Sequence, residues 1–138
     1  MDDEFGIRDV VDSLLQMGGY EVTCVENGEQ ALDALTVAME SGCRFNTILM
    51  DLHINRGAGG LEIIGTVRDI DPDINAIITS GNLVCSAEQD LTTDYLSYGF
   101  DNALTKPFDF TELLAMVAVG CWPKGEFREN DQVQKSVG

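Results

Sequence analysis

The chain has 138 residues, enough to bury one sizeable core, and its 44% hydrophobic and 23% charged content is that of a soluble globular protein. Its formal net charge of −16 repels phosphate backbones and anionic lipid, so neither direct nucleic-acid binding nor membrane insertion is expected. The acidity suits a partner with a basic face or a pocket that holds a cation, and otherwise reads as a solvated acidic surface.

The four cysteines, Cys24, Cys43, Cys85 and Cys121, lie far apart without C-x-x-C spacing. With no secretory apolar segment, they read as reduced, mostly buried thiols of a cytoplasmic protein. No apolar run approaches the roughly 18 residues that cross a bilayer. His53 is the single histidine, so a histidine-rich metal site or a histidine relay cannot be assembled.

Taken in order, the chain opens on Asp2, Asp3 and Glu4. Ile7, Val10, Val11, Leu14 and Leu15 then recur at helical spacing, and Gly18-Gly19 supplies a stop. Residues 20–25 alternate like a strand. Asn27, with Gln30 three residues on, predicts a capped helix carrying Ala31, Leu32, Leu35 and Met39 and closed by Gly42. Residues 45–52 form an apolar, β-prone run ending on Asp51, followed by a Gly-rich loop over 57–60. A helix bearing Ile63, Ile64, Val67 and Ile70 stops before Pro72.

Residues 74–80 read as a buried strand closing on Thr79 and Ser80, before Gly81. Ser86 with Gln89 predicts the cap of a helix containing Leu91, Tyr95 and Tyr98. A short strand over 103–105 runs into Lys106-Pro107, and Asp109 with Glu112 caps a last helix with Leu113, Leu114, Val117 and Cys121. From Pro123 the chain is polar and aperiodic, which predicts a domain over 1–122 and a flexible polar tail over 123–138.

Alternating strands and helices predict a doubly wound parallel α/β sheet. One element is wanting. Asp2 and Asp3 sit where a first strand should end, yet Met1 alone precedes them, and a strand needs about five residues. The expectation is a chain truncated ahead of its first strand, with that strand largely missing and its neighbours left unpaired.

In an open α/β sheet, ligands gather outside the carboxyl ends of the strands. Collected there are Asp2 and Asp3, Asp51, Ser80 and Lys106. Crowded carboxylates repel unless a cation sits among them, and Mg²⁺ is the natural choice because it takes oxygen ligands and bridges to phosphate. A carboxylate can attack a phosphoryl group, and the loose transition state asks mainly for positioning and charge stabilisation. Asp51 is the candidate nucleophile, with Lys106 and Ser80 as stabilising groups.

The acids at 2–4, Asp51 after an apolar strand, Ser80-Gly81 and Lys106-Pro107-Phe108 together resemble the receiver domain of two-component response regulators, over residues 1 to about 122. The loop over 57–62 resembles receivers of hybrid histidine kinases. The resemblance implies a flavodoxin-like (βα)5 fold with strand order 2-1-3-4-5. It implies that Asp51 is the phosphoacceptor, Asp3 a direct Mg²⁺ ligand, Asp2 a ligand through water, and His53 a ligand through its backbone carbonyl. Ser80 matches the hydroxyl and Lys106 the lysine that turn toward the phosphoryl group, and Pro107 matches a proline after a cis peptide.

The implied partner is a histidine kinase or histidine phosphotransfer protein. The implied state is a monomer or a weak phosphorylation-dependent dimer. Two positions depart from the pattern: Asn55 stands where the family usually has proline, and Ala103 where a switch aromatic often stands.

Two other functions compete. A degenerate receiver would serve only as a protein-binding module. A phosphatase with an aspartyl-phosphate intermediate would want a second acid two residues after the nucleophile, where His53 stands, so separate substrate turnover is not expected. The glycines over 57–60 lack the pattern of a nucleotide-binding loop.

Overall fold

The computed structural model describes residues 1–52, 54–55, 57–81, 84–86, 89–119 and 135–137. Along the chain run α1 (Phe5–Met17), β1 (Glu21–Thr23), α2 (Gly28–Ser41), β2 (Thr47–Asp51), α3 (Gly60–Ile70) and β3 (Asn75–Ser80). They are followed by β4 (Val84–Ser86), β5 (Gln89–Asp90), α4 (Leu91–Tyr98), β6 (Asn102–Thr105), α5 (Phe110–Val119) and β7 (Lys135–Val137). The main sheet has 5 strands in the order β1-β7-β2-β3-β6, and all its pairings are parallel.

β2 and β3 are buried at every position, as strands covered on both faces must be. Their side chains alternate between two cores. Ile48, Met50, Ala76 and Ile78 pack with Ala31 and Leu35 of α2 and Ile63, Ile64 and Val67 of α3. Leu49 and Ile77 pack on the opposite face with Val11 and Leu15 of α1 and Leu113 and Val117 of α5. Each of the Val, Leu, Ile and Met side chains among them contributes roughly 1.5–3 kcal/mol when fully buried.

Local signals were legible at the helix ends. Asn27 Oδ1 accepts from the Gln30 amide at 3.0 Å, and Gly42 closes α2 in the left-handed region at φ 77°. The Asp109 carboxylate accepts from the Glu112 amide at 2.7 Å ahead of α5. Arg68 of α3 binds the Gly99 carbonyl through Nε at 2.8 Å, the Ile74 carbonyl at 2.7 Å and Asp101 Oδ2 at 2.8 Å, tying α3 to the segments that enter β3 and β6.

Three expectations need correction. Ser86 and Gln89 do not open a helix; they are paired across the antiparallel β4–β5 hairpin, and α4 begins at Leu91. Their backbone is committed to a ladder, which overrides a capping preference. Cys24 and Cys43 are free thiols but exposed, because one follows the short edge strand β1 and the other the end of α2. The tail reading fails at Lys135–Val137, which enters the main sheet as β7; residues 123–134 and 138 lie outside the described residues. The open inner edges of β1 and β2 offer the unpaired amides and carbonyls that a segment of extended chain can satisfy.

The slot of the first strand is therefore not vacant. β7 fills its amino-terminal half, and Met1 with Asp2 fills its carboxyl-terminal half. The Met1 amine donates to the Leu49 carbonyl at 2.6 Å, the Asp51 amide donates to the Met1 carbonyl at 2.9 Å, and the Asp2 amide donates to the Val25 carbonyl at 3.2 Å.

Candidate functional site

Asp51 ends β2, Ser80 ends β3, Lys106 follows β6, and Asp2 and Asp3 follow Met1, whose backbone is bonded to β2. The parallel sheet delivers all of them to one edge. Backbone bonds fix the edge further: Leu52 donates to the Thr79 carbonyl and Lys106 to the Ser80 carbonyl, each at 2.8 Å. Ser80 is buried at the edge, next to Thr105 in the β3–β6 register. The Lys106-Pro107 peptide is cis, as the resemblance implied.

Lys106 Nζ lies 2.8 Å from Asp2 Oδ2 and 3.4 Å from Asp51 Oδ2, so one ammonium joins two carboxylates. Asp2 and Asp51 are 5% and 7% exposed, which takes these charges largely out of water. Burial and the Asp2 charge push the Asp51 carboxyl up to about 6, although Lys106 pulls it down. Burial pulls the Lys106 ammonium down, but its hydrogen bond to Asp2 and the Asp51 charge outweigh this and leave it above its ordinary value. Burial lowers the Met1 amine to about 5, so near neutral pH it is an uncharged donor, much like a strand amide.

The carboxylate oxygens of Asp2, Asp3 and Glu4 lie within 4.8 Å of one another. Asp2 Oδ1 accepts from the Glu4 amide at 3.0 Å, and Asp3 Oδ2 from the Asn55 amide at 3.0 Å. Together with Asp51, these acids outnumber the one lysine among them, and each carboxylate keeps acceptor capacity. An all-oxygen anionic set of this kind fits Mg²⁺.

The structure brings together Asp2, Asp3, Asp51 and Lys106 and sets Ser80 at the same edge, while His53 lies outside the described residues. Three features escaped the sequence reading. Glu4 joins the carboxylate group although it was given no site role; its place directly after Asp2 and Asp3 was the available signal. Asn55, noted as standing in for proline, supplies through its amide a bond to Asp3 that proline could not make. The Met1 amine acts as a ladder donor, which no side-chain pattern announces.

The glycines after Asp51 serve packing. A Cβ on Gly59 would stand 2.4 Å from the Leu52 carbonyl oxygen, and one on Gly60 would stand 2.5 Å from Ile78 Cδ1. They let α3 start directly against the strand end, which accounts for them without a bound nucleotide. Beside Lys106, a shallow groove of 360 Å³ is lined by Gly6, Ile7, Val10, Val11, Pro107 and Phe108.

An open parallel α/β sheet with acids, a hydroxyl and a lysine at its carboxyl edge defines a flavodoxin-like domain whose site lies outside the strand ends. The sequence matches the family described as response regulator receiver domain over residues 1–118, and the chain belongs to that family. It is 31% identical over 113 residues to sporulation initiation phosphotransferase F of Bacillus subtilis, covering 82% of this chain and 83% of that protein. It is 32% identical over 117 residues to the phosphate regulon transcriptional regulatory protein PhoB of Pseudomonas aeruginosa, covering 83% of this chain and 47% of that protein.

Among solved structures, response regulator TrrA of Thermotoga maritima, crystallised with Mg²⁺ and BeF, superposes with a TM-score of 0.67 at 30% identity, covering 86% of this chain and 93% of that one. Relatives named as transcriptional regulators leave the exclusion of nucleic acid, drawn from net charge, without support. No helix among the described residues is long and apolar enough to cross a membrane.

Proposed function

We propose that this receiver accepts a phosphoryl group on Asp51 from a phosphohistidine of a histidine kinase or histidine phosphotransfer protein. The observation that carries the reading is the Lys106 ammonium joining Asp2 to Asp51 at the strand ends. In the transfer, an Asp51 oxygen forms a bond to phosphorus as the phosphorus–nitrogen bond breaks, and the imidazole leaves with the electron pair and is neutralised by a proton. Lys106 would pair with the transferred group and the Ser80 hydroxyl would hydrogen-bond to it.

Asp2, Asp3, Asp51 and the backbone carbonyl of His53 are the groups proposed to hold Mg²⁺. When bound, the ion supplies positive charge that offsets the phosphoryl oxygens. The apolar groove at Ile7, Val10 and Phe108, beside an acidic edge, suits a protein donor better than a small one. Movement of Ser80 and Lys106 toward the phosphoryl group would bias the α4–β6–α5 face. The domain is proposed to work in the cytoplasm and to turn over no substrate of its own.

Incubation with acetyl phosphate and Mg²⁺ should add a single phosphoryl group, read by intact mass, and Asp51→Ala should abolish it. A folded wild-type chain that stays unmodified would count against the reading. The interrupted central strand favours a second possibility, a receiver that only binds partners. Mg²⁺ affinity weaker than roughly millimolar, with partner binding retained in Asp51→Ala, would select it.

A further inference from the structure

The loop that leaves Asp51 is tied to its surroundings at Ala58 and at Asn55. At Ala58 it meets the start of α2: the Gly28 amide donates to the Ala58 carbonyl at 2.8 Å, and Glu29 Oε2 accepts from the Ala58 amide at 3.3 Å. At Asn55 it meets the acidic edge, where the backbone amide donates to Asp3 Oδ2 at 3.0 Å. The two acids at that edge are held unequally. Asp2 is fixed at its carboxylate by the Lys106 ammonium and the Glu4 amide, and along its backbone by Val25 and Arg8. Among the described residues, the Asn55 amide is the one hydrogen-bond donor to the half-buried Asp3 side chain.

We infer that the Asn55 backbone amide is a positioning donor for the cation site: by holding the Asp3 carboxylate beside Asp2 and Glu4, it raises the affinity of that site for Mg²⁺. The bond is charge-assisted, engages one oxygen of Asp3 and leaves the carboxylate acceptor capacity for a cation. Side-chain freedom that Asp3 would lose on ligation is then largely surrendered in the empty site. Asn55 itself is exposed, and a proline there would have no amide to give, so what this position supplies is backbone. The amide belongs to the loop and the carboxylate to the site. Loop order and cation occupancy are therefore coupled, and the coupling is reciprocal.

This inference rests on the reading of Asp3 as a Mg²⁺ ligand, and the experiment separates the two. In the metal-free, isotopically labelled full chain, Asp3→Ala should move the Asn55 amide proton resonance upfield, since its charged acceptor is gone. In the wild-type chain, adding Mg²⁺ should slow hydrogen exchange at the Asn55 amide several-fold. Asn55→Pro should weaken Mg²⁺ binding about fivefold, whereas Asn55→Ala, which keeps the amide, should stay within about twofold.

An Asn55 resonance indifferent to Asp3→Ala would overturn the inference, and so would exchange at Asn55 that ignores bound Mg²⁺. A folded Asn55→Pro chain with wild-type affinity would do the same. An Asn55→Ala chain as weak as Asn55→Pro would also sink it, by assigning the effect to the side chain. A chain that binds no Mg²⁺ at all overturns the underlying reading and this one with it, even where the resonance shows the Asn55–Asp3 bond in place.

Discussion

β2 and β3 meet along five paired positions from Thr47↔Asn75 to Asp51↔Thr79, and every residue of both strands is buried. The β1 side of the same sheet is built differently. β1 is a three-residue edge strand whose Glu21 and Thr23 are exposed, and it reaches the body through β7 and the Asp2 amide. One half is held by contiguous chain packed on both faces; the other is assembled from segments distant in sequence. The site straddles the two. Asp51 and Ser80 stand on the first half, Asp2 and Asp3 on the second, and Lys106 ties them across the edge.

The contrast is first tested by truncating one core residue in each half. Ile78→Ala, at a fully buried β3 position, should cost about 2–5 kcal/mol in denaturant unfolding. Val22→Ala, at a partly buried position on β1, should cost under about 1 kcal/mol. Equal costs would mean that the β1 side is as firmly packed as β2 and β3.

Next in size is Arg68→Ala, expected to cost about 2–3 kcal/mol. It leaves the Gly99 and Ile74 carbonyls and Asp101 without their charged donor on the well-packed side. Arg68→Lys should recover little, because a point charge cannot reach those carbonyls and Asp101 at once.

Acidity at the seam gives an effect on the order of 2 kcal/mol. Burial and the Asp2 charge push the Asp51 carboxyl from its ordinary value of 3.8 up to about 6, so the fold prefers its protonated form. This contribution is fully present below about pH 4 and is lost as pH rises through about 6. In Mg²⁺-free buffer, Asp51→Asn should therefore unfold at higher denaturant than wild type at pH 7 and lose the advantage near pH 4. A gain that stays the same at both pH values would show that the carboxylate charge is not what strains the seam.

The same contrast explains what could be read from the sequence. Residues 47–51 and 75–80 announce themselves because double-sided burial demands an apolar run, and Asp51 is conspicuous as the acid that ends one. Asn27 with Gln30 and Asp109 with Glu112 were legible because caps act within four residues. The filling of the central slot was not legible. Lys135–Val137 is polar at two of three positions, and its place depends on the edges of β1 and β2, both far away in the sequence. The Asn55 amide escaped for a related reason: its value lies in a backbone donor that any residue except proline has, aimed by tertiary structure at Asp3.

The smallest effect concerns the start of α2. Asn27 caps α2, and next to it the Gly28 amide donates to the Ala58 carbonyl at 2.8 Å while Glu29 accepts from the Ala58 amide at 3.3 Å. The start of α2 is thus tied to the loop that leaves Asp51. Asn27→Ala removes the side-chain acceptor for the Gln30 amide but keeps both ties to Ala58, so the cost should be about 1 kcal/mol, or ~4 °C in Tm. Because those ties remain, acetyl phosphate labelling of Asp51 should be unchanged. Loss of labelling at so small a stability cost would mean that the cap itself, rather than the loop it adjoins, orients the phosphoacceptor edge.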